Sequence, residues 1–228
     1  MLSVLMPVYN EAATVERAVT EMLGAELGMD FELIVVDDGS DDGTREILDA
    51  KPWPERVRLL RHEVNRGKGA AVRTALQEAR GEFTTVFDAD LEYEPSDIAA
   101  LLEPLVEGRA NAVFGVRAFD GYTSHSFLYV LGNRFMNLVA DVLFNVYVRD
   151  LMTCHKAIRT DIFRRLPLRE PGFGIEPEIT ARLLQRGERI YEVPVRYRAR
   201  SDEEGKKLTA VDGLRVLRTL LRCRFSPA

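Results

Sequence analysis

The sequence predicts an α/β fold of one domain, in which a mostly parallel β-sheet is flanked by helices on both faces. Two observations predict it. Short apolar runs alternate with amphipathic segments of helical period through the first half of the chain, and such alternation is typical of a parallel sheet with helical crossovers. The 228 residues, of which 46% are hydrophobic and 29% charged, are enough to bury one large core.

Five strands are expected, and each of the first four is followed by a helix. We place the strands at residues 2–9, 31–40, 57–63, 83–90 and 111–118. We place the helices at residues 10–23, 42–50, 67–79 and 95–108. The first helix has apolar residues near helical spacing, namely Ala12, Val15, Val19, Met22 and Leu23. Ser, Asp and Gly residues begin the second helix, and Pro95 lies near the first turn of the fourth.

The net charge of −5 conceals two parts of opposite sign. Residues 151–228 hold 17 Lys and Arg against 10 Asp and Glu, whereas residues 1–150 hold 14 against 26. This asymmetry indicates that the acidic N-terminal part binds a metal and the basic C-terminal part binds phosphate. An uneven distribution of charged surface residues without functional meaning would also produce it. We expect no nucleic-acid partner.

The composition indicates a cytoplasmic protein. Cys154 and Cys223 form neither a disulfide framework nor a metal-ligand pattern, which is typical of a reducing compartment. The N-terminus lacks the basic segment of a signal peptide. The longest apolar stretch, residues 127–148, carries Arg134, Asp141 and three asparagines, so it is too polar for a membrane span.

Polar clusters follow four of the predicted strands, at residues 7–11, 37–40, 88–90 and 117. In a parallel sheet these carboxyl ends lie at one edge, where ligands bind. Three of the four clusters carry carboxylates, which repel one another unless a cation or hydrogen-bond donors offset them. Asp88 and Asp90 are therefore candidate ligands of Mg²⁺ or Mn²⁺, which proteins bind with hard oxygen ligands together with substrate phosphates.

Two common phosphate-binding motifs are excluded. A Walker A loop would need a glycine where His62 stands and Ser or Thr where Gly69 stands. A dinucleotide fingerprint would need a small residue at Val72 and glycines in the first turn, which has none. Gly67 and Gly69 either allow a close approach of the chain, with Lys68 near a phosphate, or form a flexible helix start.

Ordered motifs along nearly the whole chain carry a family resemblance. MPVYNEAATVERAV, IVVDDGSDDGT, NRGKGAAVRTAL and FDADLEYEPSDI resemble family 2 glycosyltransferases with the Rossmann-like GT-A fold. GNRFMNLVADVLFN, RDLMTCHKAIR, FGIEPEITARLLQRGERIYEVPVRYRAR and EEGKKL are similar to the dolichyl-phosphate mannosyltransferase-like branch. The resemblance implies an inverting, metal-dependent transfer of a hexose from a nucleotide-sugar, GDP-mannose or a UDP-sugar, to a polyprenyl or dolichyl phosphate.

The resemblance also implies residue roles. The nucleoside would contact Pro7, Tyr9, Glu11, Val36 and Asp38, of which Asp38 would accept a hydrogen bond from the base. Asp88 and Asp90 would bind metal and nucleotide, with Ala89 and Glu92 beside them, although the family often has glutamine in place of Glu92. Arg117 would face phosphate and Arg134 the lipid phosphate, while Arg200 and Lys206 would close on the diphosphate from a mobile loop.

The role of Glu176 stays open between two alternatives. A hydroxyl acceptor, soluble or in the cell envelope, needs a general base, and Glu176 lies where hydroxyl-transferring relatives carry theirs. A lipid phosphate is already an anion, so Glu176 would then only position groups. A protein that binds the sugar nucleotide without catalysis is a distant alternative. A nucleotidyltransferase is disfavoured because PVYNEA is not a glycine-rich loop with an arginine.

The chain divides into a nucleotide-sugar-binding half at 1–118, an acceptor-binding half at 119–207 and a basic amphipathic helix at 208–228. In that helix Val211, Leu214, Leu217, Leu220 and Leu221 share one face, and Arg215, Arg218 and Arg222 another. It either lies on the inner face of a membrane or packs on its own domain. A polyprenyl phosphate at the membrane surface, and a separate membrane protein, are the expected partners besides the donor. Cys154, His125 and His155 are interpreted as structural.

Overall fold

The computed structural model describes residues 1–117, 127–198 and 210–226. Seven strands in these ranges form one sheet: β1 (Leu2–Val8), β2 (Phe31–Asp37), β3 (Val57–Arg61), β4 (Phe83–Val86), β5 (Ala112–Arg117), β6 (Lys156–Arg159) and β7 (Ile190–Val195). The helices there are α1 (Val15–Gly24), α2 (Thr44–Asp49), α3 (Lys68–Glu78), α4 (Ile98–Val106), α5 (Phe127–Phe144), α6 (Thr160–Arg165), α7 (Ile175–Gln185) and α8 (Ala210–Phe225). The predicted α/β fold with a mostly parallel sheet is confirmed.

The strand order is β3-β2-β1-β4-β6-β5-β7, and only β6 runs against its neighbours. The five predicted strands are present, but β6 and β7 were not predicted, and β6 separates β4 from β5. β6 has four residues and two of them, Lys156 and Arg159, are charged. β7 is an edge strand that contains Pro194, and proline is confined to such edges. Neither strand therefore shows the long apolar run typical of a central strand.

Alternate residues of the strands face two separate cores. In β2, Leu33 and Val35 pack in the core that also contains side chains of α1 and α4, whereas Ile34 and Val36 pack in the core with α3 and α7. All four side chains are fully buried. Burial of one such side chain contributes roughly 1.5–3 kcal/mol, so the helices on both faces hold the sheet as a rigid platform.

A third, smaller core joins α5, α7 and α8. Its buried residues are Ala140, Leu151, Ala181, Val216, Leu220 and Cys223. The outer sides of the two flanking helices remain apolar and exposed, at Leu131, Phe135, Leu138 and Val142 of α5 and at Leu214, Leu221 and Phe225 of α8. The apolar face predicted for α8 is thus divided between a packed side and an exposed side. No helix within the described ranges is long and apolar enough to cross a membrane.

Candidate active site

A cavity of about 330 Å³ opens at the edge of the sheet where β1, β2 and β4 end. The turns after these strands, the start of α3 and the first turn of α7 all contribute to its wall. Among the lining residues are Pro7, Tyr9, Glu11, Asp38, Lys68, Asp88, Ala89, Asp90, Glu92, Arg117 and Glu176, all of them predicted site residues. The carboxyl ends of the parallel strands therefore gather the predicted acidic clusters in one place.

Four predicted site residues are not in the described wall of this cavity. The Val36 side chain lies on the face of β2 that packs against α3 and is fully buried there. It therefore lies in the core and does not line the cavity. Arg134 is exposed on α5, away from the cavity wall. Arg200 and Lys206 lie outside the described residues.

Asp38, which follows β2, holds the chain beside the cavity. Its carboxylate is 2% exposed and accepts hydrogen bonds from the backbone N–H groups of Arg66 (3.0 Å) and Gly67 (2.7 Å). The same carboxylate lies 2.5 Å from Nδ1 of His62. These contacts fix the turn that leads into α3. A hydrogen bond donated by a nucleotide base to Asp38 stays a prediction.

Lys68, the first residue of α3, joins two carboxylates of the cavity wall. Its ammonium is 2.7 Å from Oδ2 of Asp88 and 2.6 Å from Oε1 of Glu176. Burial alone would lower the pKa of Lys68, but the carboxylates, Asp88 first, outweigh burial and raise this pKa well above its ordinary value. Burial alone would likewise raise the pKa of Asp88, but Lys68 outweighs it and holds that pKa below its ordinary value. Lys68 and Asp88 are therefore both charged at neutral pH.

Asp90 lies in a tight turn at the cavity edge. One of its oxygens accepts a hydrogen bond from the backbone N–H of Glu92 at 3.1 Å. Leu91, between them, has a φ of 60°, a left-handed conformation that is unusual for a bulky residue. The Glu92 carboxylate accepts a hydrogen bond from the Tyr197 hydroxyl at 2.9 Å. Strained backbone of this kind is concentrated at functional sites, where the surrounding contacts maintain it.

Arg117, at the end of β5, is held by Asp150. Its Nε and Nη2 atoms donate to the two oxygens of that carboxylate at 2.7 and 2.8 Å. The guanidinium also lies 5.0 Å from the centre of the Tyr197 ring. A bidentate pair fixes the plane of a guanidinium, so Asp150 orients Arg117 in the cavity wall. The phosphate contact of Arg117 stays a prediction.

The start of α3 and the loop before α7 pass so close that glycine is required at two positions. A Cβ atom on Gly69 would lie 2.1 Å from the carbonyl oxygen of Glu170, and one on Gly67 would lie 2.4 Å from that of Pro171. The backbone N–H of Ala70 donates to the Pro171 carbonyl at 3.0 Å. The glycines do allow a close approach, but the group they approach is the chain's own loop.

Glu176 lies in the first turn of α7 and is 4% exposed. Its Oε1 atom contacts Lys68, whereas Oε2 is buried and has no hydrogen-bond partner among the described residues. A buried carboxylate oxygen without a donor is costly. The side chain lines the cavity, but its Oε2 atom is itself covered by the wall.

The sequence reasoning missed part of the wall, namely Val8, Asn65, Ala71, Tyr93, Met152, Gly172, Phe173, Tyr197 and Cys154. Cys154, interpreted as a core residue, does pack against the core, but it also lines the cavity, where its Sγ lies 3.1 Å from Nζ of Lys68. β6 is antiparallel, so residues just before it lie at the same edge as residues just after the parallel strands. Burial raises the pKa of Cys154 well above its ordinary value, so it remains a thiol. His155 is fully buried, as a structural residue would be.

The acidic edge has the donor groups of a site in which the protein and a bound substrate together coordinate a hard divalent cation. The described residues contain no group of three side chains poised to hold a metal ion alone. Mg²⁺ commonly uses one or two protein carboxylates and completes its shell with substrate phosphates and water. Asp88 and Asp90, two carboxylates in the wall of one cavity, fit that donor set.

Comparisons with known proteins point to one family. Residues 3–166 match the family described as glycosyl transferase family 2. Glycosyltransferase AglJ of Haloferax volcanii is 30% identical over 210 residues, which are 91% of this chain and 66% of that protein. Dolichol-phosphate mannosyltransferase of Pyrococcus furiosus is 28% identical over 233 residues, 97% of this chain and 64% of that one. The chain thus spans slightly less than two thirds of the length of both relatives.

A solved structure has the same fold. Glucosyl-3-phosphoglycerate synthase from Mycobacterium tuberculosis, crystallised with Mn²⁺, uridine diphosphate and phosphoglyceric acid, superposes with a TM-score of 0.77 at 22% identity. The match covers 100% of this chain and 80% of that one. Together with the family match over most of the chain, these findings show that the protein belongs to glycosyl transferase family 2 and has the GT-A fold.

Proposed function

We propose that the enzyme transfers a hexose, with inversion, from GDP-mannose or a UDP-sugar to a polyprenyl phosphate at a membrane surface, with Mg²⁺ or Mn²⁺ as cofactor. The acidic cavity at the ends of β1, β2 and β4 supports the donor and the metal. The dolichol-phosphate mannosyltransferase of Pyrococcus furiosus, a relative along nearly the whole chain, supports the class of acceptor.

The observation that carries this acceptor is the position of Arg134. On α5 it is exposed among Leu131, Phe135 and Leu138, whose side chains are 50%, 53% and 58% exposed. One cation within an exposed apolar stripe matches a molecule that joins a phosphate to a hydrocarbon chain. The packed neighbour α8 exposes a similar stripe that includes Leu214, Leu221 and Phe225. Amphipathic helices of this kind bind lipid surfaces.

The apolar stripe of α5 is connected to the cavity. Asn137, one turn after Arg134, accepts a hydrogen bond from the backbone N–H of Leu151 at 3.1 Å and donates one to the carbonyl of Arg149. The next residue along that segment, Met152, lines the cavity. These bonds hold α5 beside the segment that reaches the cavity wall, and in the proposed reaction the acceptor phosphate extends from Arg134 along this segment to the donor.

The contacts of Glu176 favour an acceptor that needs no general base. A general base must take up a proton, and protonation of Glu176 would cost its 2.6 Å ion pair with Lys68. A phosphate acceptor arrives as an anion. Glu176 is then a positioning group that holds the ammonium of Lys68.

In the proposed reaction an oxygen of the acceptor phosphate attacks the anomeric carbon of the hexose. The bond from that carbon to the nucleoside diphosphate breaks, its electron pair leaves with the diphosphate, and the configuration inverts. Asp88 and Asp90 would hold the metal ion, which would supply positive charge to neutralise the leaving diphosphate. The protein's own residues orient the donor: Asp38 fixes the turn before α3, and Lys68 fixes the Asp88 carboxylate.

The test uses two acceptors that differ only in the phosphate. Purified enzyme receives a panel of GDP- and UDP-sugars, Mn²⁺, and either a short-chain polyprenyl phosphate or the matching polyprenol. We expect a glycosylated product from the phosphate alone. Arg134→Ala should lower transfer on the order of tenfold to a hundredfold, since a hydrogen bond to a charged group contributes about 1.5–3 kcal/mol. Donor binding by calorimetry should stay unchanged.

The matched control is Arg189→Ala, which removes an exposed arginine from the turn before β7. It should transfer at the wild-type rate. If the enzyme glycosylates only a soluble hydroxyl acceptor, and Glu176→Gln stops that reaction, the lipid-phosphate acceptor is wrong and Glu176 is the base.

A further inference from the structure

Arg222 of α8 forms an ion-pair cluster for which the proposed reaction has no use. Its Nη2 atom lies 2.6 Å from Oε1 of Glu170 and 3.0 Å from Oε1 of Glu178. Thr219, one turn earlier on α8, donates to the same Glu170 oxygen at 2.9 Å. The sequence predicts Arg222 on the basic face of α8, opposite the apolar residues, and in the structure its side chain reaches two carboxylates of the domain.

The two carboxylates hold the chain where it enters α7. Glu178 is fully buried, and its Oε2 atom accepts hydrogen bonds from the backbone N–H groups of Arg169 (2.8 Å) and Glu170 (2.7 Å). The Glu170 side chain packs on Gly174, where a Cβ atom would lie 2.7 Å from its Oε2. Glu178 thus ties the loop at 169–174 to the first turn of α7, and Arg222 bridges the two carboxylates that do so.

The segment held in this way contributes to the cavity. Gly172 and Phe173 of the loop and Glu176 of the first turn line it. Glu176 and Glu178 lie in the same turn of α7, so a shift of that turn moves the carboxylate that contacts Lys68.

We propose that Arg222 is a positioning residue for glycosyl transfer, because through Glu170 and Glu178 it fixes the first turn of α7 and holds Glu176 against Lys68. Without the guanidinium, two neighbouring carboxylates, one of them fully buried, would repel each other. The turn that carries Glu176 would then relax. This role concerns the part of the proposed reaction that involves the donor, so it does not depend on which acceptor the enzyme uses.

The experiment measures nucleotide release from the donor, a readout that does not depend on the identity of the acceptor. Arg222→Met should lower kcat on the order of tenfold to a hundredfold, the effect of misplacing a group in the active site by about 1 Å. The KM for the donor should change much less. Arg222→Lys keeps a cation and should recover most of the lost kcat. Arg224→Met removes an exposed arginine from the same helix and should match the wild type.

A double-variant cycle separates positioning from general structural damage. If Arg222 acts through Glu176, Arg222→Met should cost little further kcat in a Glu176→Gln background, since residues that act together are not additive. Should Arg222→Met not fold, Thr219→Val removes the uncharged member of the cluster and should show the same non-additivity. Fully additive losses, or an equal loss in Arg224→Met, would overturn the assignment.

Discussion

Of two basic side chains near the cavity, Lys68 is charged at neutral pH and His155 is neutral. Lys68 is charged because Asp88 and Glu176 surround its ammonium. His155 is fully buried, stacks on Tyr93 with ring centres 4.3 Å apart, and has no hydrogen-bond partner for either ring nitrogen within the part of the chain described. Burial lowers the pKa of His155 to about 4, so the ring is neutral at pH 7.

This neutral histidine predicts a loss of stability in mild acid. The unfolded chain takes up a proton at this residue below about pH 6.5, whereas the folded protein does so only near pH 4. Stability is therefore complete above pH 6.5 and falls as the pH drops toward 4. One proton over that range corresponds to about 3 kcal/mol of unfolding free energy.

Denaturant unfolding at several pH values, for wild type and His155→Phe, measures this effect. Phenylalanine suits the aromatic surroundings, and no described hydrogen bond is lost with the ring nitrogens. The stability of the variant relative to wild type should rise as the pH falls from 6.5 to 4 and stay constant above pH 7. A pH-independent difference would show that His155 is not held neutral.

At the scale of elements, the cavity depends on the crossing between the start of α3 and the loop before α7. Gly67 and Gly69 allow this crossing, which places Lys68 between Asp88 and Glu176. The loop in turn is tied to α7 and α8. The charged cluster of the cavity is thus set by backbone packing as well as by attraction between side chains.

Gly69→Ala should separate these two elements. Its Cβ would meet the Glu170 carbonyl at 2.1 Å, and a backbone atom cannot move as a flexible side chain can. We expect a loss of about 1–3 kcal/mol of unfolding free energy, as for other overpacked sites, together with reduced nucleotide release. Thermal unfolding and the donor assay measure the two effects.

The matched control is Gly24→Ala at the end of α1, where an added Cβ meets nothing within 4 Å. This variant should be at least as stable as the wild type, because alanine is the better helix former. Equal stability of the two alanine variants would contradict the close crossing.

At the scale of the whole molecule, the parallel strands other than the edge strand β7 could be predicted from the sequence. Each of these strands is an apolar run that ends in a polar turn, and this pattern alone assigns Tyr9, Glu11, Asp88 and Asp90 to one edge of the sheet, where the cavity lies. β6 could not be predicted, since four residues with two charges have no strand pattern. Cys154 was missed for that reason: it reaches the cavity because the strand that follows it, β6, is antiparallel to its neighbours.

The outer helices show a second limit of sequence reasoning. A helical period shows that Leu214, Leu220 and Leu221 are apolar and share a face, but it does not show which helix will cover them. In the structure Leu220 is fully buried against α5 and α7, whereas Leu214 is 69% exposed. Likewise the direction of the Arg222 side chain depends on Glu170 and Glu178, which lie more than forty residues earlier in the chain.

The central claim is that the acidic edge after β4 binds a nucleotide-sugar together with a divalent metal. Metal-dependent nucleotide release by Asp90→Ala tests it most directly, with Glu55→Ala, an exposed acid before β3, as the matched control. We expect the control to behave as wild type. Asp90→Ala should lose metal-dependent release while the protein stays folded, because the relief of repulsion at this edge offsets the lost hydrogen bond from Glu92. Unchanged metal-dependent release by a folded Asp90→Ala protein would contradict the assignment of the site.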